Sequence, residues 1–497
     1  MPALETNSAK PYHVGHARSK AQLQHAYATQ ERTARLRRLE RAIDDSRFRE
    51  SMRMQVKDAA KEVKVLSHLL SPAKMAGHAW YSNNLFFLAG KTPADLETAK
   101  FTLDAGAPGS PGLGAADSPG FPVDVCPEQL PNLSNHHCIV ARVLSGEPCL
   151  FAELSSLRTK SGVSLARCIK PGMDVLGDPA VSVAGVVAGD SECYELFSSL
   201  FDKVIHELHP HFSSTRAQPR DIDFESLERF SIDPSGVYAS KVWVELRRNL
   251  RDWPMPPATS RIQRRVLEQR LSTLLKEALG GTYLPLPGSK SFPDLRGGMS
   301  FEQMEELEEE DVFFPVPSND LELASGFGRD WPDGRGIFVT EERDIFVWVN
   351  QEDHLRIRAV GYHTGDLQGA FRRLCKAERA VAQGLQSGAG FAHSEKLGFL
   401  TVMPENLGTG LTASVTLRLP RLSAQPGFEK LCKRLKLRAQ KEAESSSTWI
   451  LSNSEHLGSS ELQQVSAVGN GVRELIAFEM RAGNGEDICL SDIALSG

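Results

Sequence analysis

The run Asp330-Trp331-Pro332-Asp333-Gly334-Arg335-Gly336-Ile337-Phe338, continued by Phe346-Val347-Trp348-Val349-Asn350-Gln351-Glu352-Asp353-His354-Leu355-Arg356, constrains the fold more than any other part of this chain. Its first half carries one proline and two glycines, residues that set or permit turn dihedrals. The apolar, β-prone residues 346–349 then read as a buried strand, so the whole is a turn-rich approach to an antiparallel hairpin. Glu352, His354 and Arg356 stand at the strand end, where side chains can be handed to a site. The plainer alternative is a charged strand terminus with a local ion pair.

With 497 residues the chain is too long for one ordinary domain. Hydrophobic content of 41% and charged content of 24% are globular values. A net charge of -6 argues against a nucleic-acid binder. No apolar run reaches the roughly 18 residues of a membrane span, and neither a secretory nor a transit leader is recognisable. The eight cysteines form no CxxC pair, which suits reduced thiols and a cytoplasmic protein better than a disulfide frame or a zinc site.

Residues 16–70 contain no glycine or proline and are rich in helix formers, so a long helix is expected. Met52, Val56, Ala59, Val63, Leu66 and Leu70 alternate steps of four and three, a coiled-coil-like seam. Residues 16–64 hold 13 Lys/Arg against 7 Asp/Glu, a basic segment in an acidic protein. Either the seam docks on the globular body, or the helix is an arm for a protein partner: a coiled-coil protein, or an acidic surface such as a microtubule of the cytoskeleton or of a ciliary or flagellar axoneme. Trp80, Tyr81, Leu85, Phe86, Phe87 and Leu88 look like an aromatic anchor, and residues 105–122, dense in Gly, Pro, Ala and Ser, read as a linker. The expected organisation is 1–125 (arm, anchor and linker), 126–225 (small helical domain) and 226–497 (large domain).

The large domain reads as α+β: a strand over 237–244, a helix over 262–279, an acidic helix over 301–311, the opening motif, a helix over 366–385, and strands over 397–403 and 413–419. The acidic run 305–311 is expected to be a solvated helix face and not a metal cluster. Tyr194, Phe197, Leu200 and Phe201 are spaced as an apolar helix face.

The opening motif, with Trp331, Trp348, Asp353 and His354 in place, resembles the signature of the phosphagen (guanidino) kinases, and of creatine kinases in particular. So do Leu130-Pro131-Asn132-Leu133-Ser134-Asn135-His136-His137, the run from Val187 to Phe197, and Asn406-Leu407-Gly408-Thr409-Gly410. The resemblance runs from Cys126 to the C-terminus. It implies a small all-helical lobe plus a larger antiparallel-sheet-and-helix domain, and a homodimer. The chemistry it implies is phosphoryl transfer between Mg-ATP and a guanidine, through an arginine cage on the nucleotide, an orienting carboxylate and a reactive cysteine.

Such transfer passes through a loose transition state, so it depends on alignment and on neutralising phosphate charge, for which the arginine fork is suited. By resemblance, Glu352 matches the guanidinium-orienting carboxylate and Arg356 a phosphate arginine. Arg247 or Arg248 matches another, with an extra residue blurring the register. Elsewhere the cage is depleted. Lys241 and Trp243 stand where two phosphate arginines are expected, Met403 at the reactive cysteine, Thr412 at a further arginine, and Val339 and Thr416 at adenine-contacting histidines. The mobile loop is shortened to Gln440-Lys441-Glu442-Ala443-Glu444-Ser445-Ser446-Ser447, Ile450 replaces a ribose-side aspartate and His456 the last arginine. Losing one preorganised donor costs about 2.7–4 kcal/mol of barrier, and Glu442 beside a polyphosphate would repel it. The expectation is a degenerate family member that binds no cofactor and serves as a structural or binding module. An active but divergent creatine- or arginine-type kinase using Mg-ATP, and a non-catalytic guanidino sensor acting through Glu352, are the alternatives.

Overall fold

The computed structural model describes residues 120–486 apart from 214, 226–230, 290–291, 293–297, 315–316, 318, 363–364, 386–389 and 443–445. The expected arm and aromatic anchor, and all but the last residues of the linker, lie outside the described residues.

The small unit is built from α1 (Ile139–Gly146), α2 (Pro148–Leu154), α3 (Leu165–Asp174), α4 (Cys193–Leu196) and α5 (Ser198–Leu208). Tyr194, Phe197, Leu200 and Phe201 are all buried in its core, as their spacing predicts. Each of the seven described cysteines is free.

The large unit begins with β1 (Ala239–Arg248), then α6 (Arg261–Leu279), β2 (Thr282–Pro285), α7 (Phe301–Glu309), α8 (Asp320–Ala324), β3 (Gly336–Val339), β4 (Ile345–Val349) and β5 (Leu355–Tyr362). It continues with α9 (Leu367–Gly384), β6 (His393–Ser394), β7 (Gly398–Phe399), β8 (Leu411–Arg418), α10 (Phe428–Arg434), β9 (Leu437–Lys441), β10 (Thr448–Asn453) and α11 (Glu461–Gly483). Eight strands form one antiparallel sheet in the order β2-β3-β4-β5-β1-β8-β10-β9. Helices α6, α7 and α11 each start at a serine that closes a reciprocal capping box with a glutamine three residues on.

Alternation along the strands sorts the sheet into two faces. Val242, Val244 and Leu246 of β1, Ile357 of β5 and Val415 of β8 join Leu267 and Leu271 of α6, Phe371 of α9 and Val472 of α11 in the main core. The intervening residues of the same strands face the other way, and that second face carries the candidate site.

The strand expected over 397–403 is a correction. Only Gly398–Phe399 is strand, in a two-stranded ribbon with β6. Gly398 has φ +68°, and an added Cβ would lie 2.3 Å from the Gly408 carbonyl oxygen, so the chain turns there under close backbone contact. Leu397, Leu400 and Val402 are buried instead against the small helical unit, where the Ala188 N–H donates to the Val402 carbonyl at 2.8 Å. Tertiary burial overrides strand propensity.

Candidate functional site

On the second face of β1, period two presents Lys241, Trp243, Glu245 and Arg247 in line. Pairing places Arg247 opposite Arg356 of β5. Glu245 sits between Arg358 and Thr412, Trp243 between Val360 and Ser414, and Lys241 beside Thr416. Ile450 of β10 lies opposite Thr416, and Val339 of β3 opposite Phe346. One face therefore collects Lys241, Trp243, Arg247, Arg356, Val339, Thr412, Thr416 and Ile450.

At its centre is Glu245, 1% exposed. Its Oε1 accepts from Arg356 Nη2 at 2.7 Å and lies 3.2 Å from Arg247 Nη2. Its Oε2 accepts from Arg358 Nε at 2.9 Å and lies 2.8 Å from Arg358 Nη2. Burial alone would push this carboxyl up, but the guanidiniums of Arg356, Arg358 and Arg247 together hold it well below the usual carboxylate range. Trp348 lies 4.4 Å under both Arg356 and Arg358, and Trp243 5.4 Å from Arg358. Arg247 also donates to Thr412 Oγ1 at 3.2 Å and has its Nε 3.9 Å from Glu352.

Toward β3 and β4 the face is apolar, while Thr412, Ser414 and Thr416 of β8 line its other side. Trp243 and Val339, with partly buried Ile450, pack with Leu284, Ile337, Phe346, Trp348 and Val360 in one hydrophobic cluster. Lys241 reaches away toward the end of α7, donating to the Glu310 carbonyl at 2.8 Å and to Asp311 at 3.3 Å. The last turn of a helix favours such a cation.

Other expected residues are not brought together. Arg248 is a correction: one step beyond Arg247, it points into the main core, fully buried, with Glu378 Oε1 3.4 Å away and the Phe399 ring 3.4 Å below its guanidinium carbon. Alternation, not the motif, decides between the neighbours. Glu442 is exposed and continues the β9–β10 pairing, its N–H donating to the Thr448 carbonyl. In the sheet order β9 lies three strands from β1, so Glu442 stands on the far edge of the sheet from Arg247 and Arg356. Met403 packs at the edge of the small unit's core. His456 donates from Nδ1 to the Leu411 carbonyl at 2.7 Å, and burial lowers it to about 4, so it supplies no cation near neutrality.

The polar residues of the opening motif are largely structural. Asn350 donates to the Gly334 and Arg264 carbonyls, tying the turn to the hairpin. Asp353 accepts from Asn249 at 2.6 Å and from the Val402 N–H at 2.8 Å. His354 accepts from the Leu250 N–H and donates to the Pro254 carbonyl, each at 3.0 Å, and burial lowers it to about 4. Glu352, at 25% side-chain exposure, is partly open to solvent beside the arginines, as is its neighbour Gln351.

A pH dependence follows. His354 and His456 have their folded pKa lowered from 6.5 to about 4, so the unfolded chain binds more protons between those values. Their contribution is complete above 6.5 and is lost as pH falls toward 4, at about 3 kcal/mol each. Asp353, raised by burial from 3.8 to about 6, works in the opposite direction and offsets about one of the two. Urea midpoints are expected to fall from pH 7 to pH 4.5, and less steeply in His456→Asn. An unchanged slope in that variant would contradict the assignment.

Sequence reasoning missed Glu245, Arg358 and the carbonyl of Glu310. The signal was present, since Lys241-x-Trp243-x-Glu245-x-Arg247 and Arg356-x-Arg358 alternate on facing strands. It lay at positions to which the motif gives no part. Among the described residues no group of three His, Cys, Asp or Glu could hold a metal ion. Among the described residues, Arg247, Arg356 and Arg358 all contact Glu245, and Trp243, Val339 and Ile450 belong to the adjoining apolar cluster.

A small helical unit and a large eight-stranded antiparallel sheet, with arginines from two central strands converging on one face, define an α+β two-unit scaffold. The family model described as ATP:guanido phosphotransferase, C-terminal catalytic domain, matches residues 265–482, and its N-terminal domain matches 134–206. Creatine kinase M-type of Tetronarce californica is 35% identical over 372 residues, spanning 73% of this chain and 93% of that protein. Flagellar creatine kinase of Strongylocentrotus purpuratus is 34% identical over 369 residues, 72% of this chain and 30% of its own length. The crystal structure of lombricine kinase superposes with a TM-score of 0.65 at 31% identity, covering 72% of this chain and 96% of that one. The chain belongs to the ATP:guanido phosphotransferase, or phosphagen kinase, family and has its two-domain guanidino kinase fold.

Proposed function

We propose that this protein keeps the guanidino kinase fold without phosphoryl transfer and works as a structural or binding module. One observation carries the reading: Trp243, Val339 and Ile450, at positions where the family resemblance puts nucleotide contacts, belong to a single apolar cluster. A nucleotide would have to displace packed side chains there, and the neighbouring guanidiniums of Arg247, Arg356 and Arg358 already contact Glu245. Burying even one charged phosphate oxygen without a paired donor costs several kcal/mol. The expected result is no saturable thermal shift with Mg-ATP and no phosphorylation of creatine or arginine in a coupled assay. A saturable shift accompanied by turnover would establish the active alternative.

Residues 16–70 are proposed as the attachment arm, supported by their cationic excess and heptad seam. The flagellar creatine kinase among the relatives favours an axonemal microtubule as the partner. The full chain should pellet with microtubules in a salt-sensitive way, and residues 120–497 should not. Equal pelleting of both would remove the arm from the proposal.

A further inference from the structure

Three guanidiniums on one carboxylate are more than an internal ion pair requires. Arg247, Arg356 and Arg358 are 10%, 19% and 9% exposed at their side chains, and Glu245 is the carboxylate they share. The cluster keeps a cationic surplus in a place where each unmatched ion costs several kcal/mol to desolvate. Glu352 lies 3.9 Å from Arg247 and also acts on Arg356 through its charge. Arg358 donates to the Asp311 backbone carbonyl at 3.2 Å, with the Asp311 carboxylate acting on it from farther off. Glu245 is therefore the carboxylate in direct contact with all three arginines. The Nε groups of Arg247 and Arg356 are buried without a hydrogen-bond partner. Converging forks, surplus charge and unused donors are the features of a seat for an anion bearing more charge and more oxygens than a carboxylate.

We infer that Glu245 is a built-in occupant of that seat: the chain has closed a latent phosphoryl-anion site with its own carboxylate. Both carboxylate oxygens are held by guanidiniums, so Glu245 takes the place of an incoming anion's oxygens and repels a second anion at contact distance. Its two exchanging neighbours on the strand, Trp243 and Arg247, keep it on this face by alternation. The ion pairs hold its carboxyl well below the usual carboxylate range, so substitution, and not mild acidification, is the way to open the seat. The inference rests on the non-catalytic reading and adds how the retained arginines are silenced.

The test is isothermal titration of the full-length protein with inorganic pyrophosphate, without magnesium. Wild type should give no saturable heat. Glu245→Gln, nearly isosteric and uncharged, should bind at least about tenfold more tightly, with affinity falling as salt rises. Pyrophosphate should also raise the melting temperature of that variant and leave wild type unchanged. If Glu245→Gln does not fold, Glu245→Gln/Arg358→Gln decides, because it leaves the net charge of the cluster as it is in wild type and retains Arg247 and Arg356. Binding by neither folded variant, or equal binding by wild type, overturns the inference. Mg-ATP binding by wild type would instead overturn the non-catalytic reading, so the two failures are separable.

Discussion

Replacing Arg248 by methionine is expected to destabilise the protein by about 3–5 kcal/mol, the usual cost of breaking a fully buried ion pair from one side. Arg248 is 0% and Glu378 1% exposed at the side chain, so the remaining carboxylate could be reached only by Arg220, 3.2 Å away and 47% exposed. Arg248 also donates from Nη1 to the carbonyls of Arg247 and Thr409, both at 2.8 Å, and those acceptors would lose their partner. Glu378→Met should cost a similar amount. The double variant Arg248→Met/Glu378→Met should recover most of it, because an apolar pair of similar volume removes both desolvation costs together. Chemical denaturation of the four proteins in a double-mutant cycle measures this. Strict additivity of the two single losses would mean that the pair is not coupled. Were Arg248 instead part of the anion cluster, its loss would leave stability nearly unchanged, as for a side chain at a solvent-accessible site.

Trp243→Ala should cost about 3–5 kcal/mol, in the range for emptying a large aromatic from a core. Trp243 is 8% exposed and packs with Leu284, Val339, Phe346, Trp348 and Val360, so little of the vacated volume can fill by relaxation. It also contributes its ring face to Arg358, 5.4 Å away. The opposite substitution is the more telling one. Trp243→Arg would put back a cation where the family resemblance expects one, yet it would bury that cation among Val339, Val360 and Ile450 with the shared Glu245 already saturated. It is expected to be destabilised at least as much as Trp243→Ala and to remain without phosphoryl transfer in a coupled assay. Recovery of measurable turnover by this single change would remove the apolar cluster as support for the proposed loss of phosphoryl transfer.

The architecture was largely legible from the amino-acid order. Turn residues and the apolar run 346–349 mark the hairpin that β3 and β4 form, and helix-forming stretches give α6 and α9 within a residue or two. The family motifs then fix the two-lobed fold. The segment 397–403 was not legible, because its β-prone residues are buried against another unit and local propensity has no access to that partner. The place of Glu442 on the far edge of the sheet was likewise not legible, because proximity in an aligned loop says nothing about how many strands intervene.

The site divides along the same line. Sequence alone determined which charged and apolar residue types are present: Lys241, Trp243 and Thr412 are facts of the chain, and the depleted cage is what the family resemblance implies of them. Whether Arg247 or Arg248 belongs to that cage was decided only by the pleat, which turns adjacent residues to opposite faces of the sheet. Glu245 acquires its meaning in the same way. It is an unremarkable acid in the sequence and becomes the centre of the site only when β5 is paired beside β1, which brings Arg356 and Arg358 within hydrogen-bonding reach. Composition sets which charges exist, and strand pairing sets which of them meet, because Coulomb and hydrogen-bond energies depend on separations of a few ångströms that no linear spacing encodes.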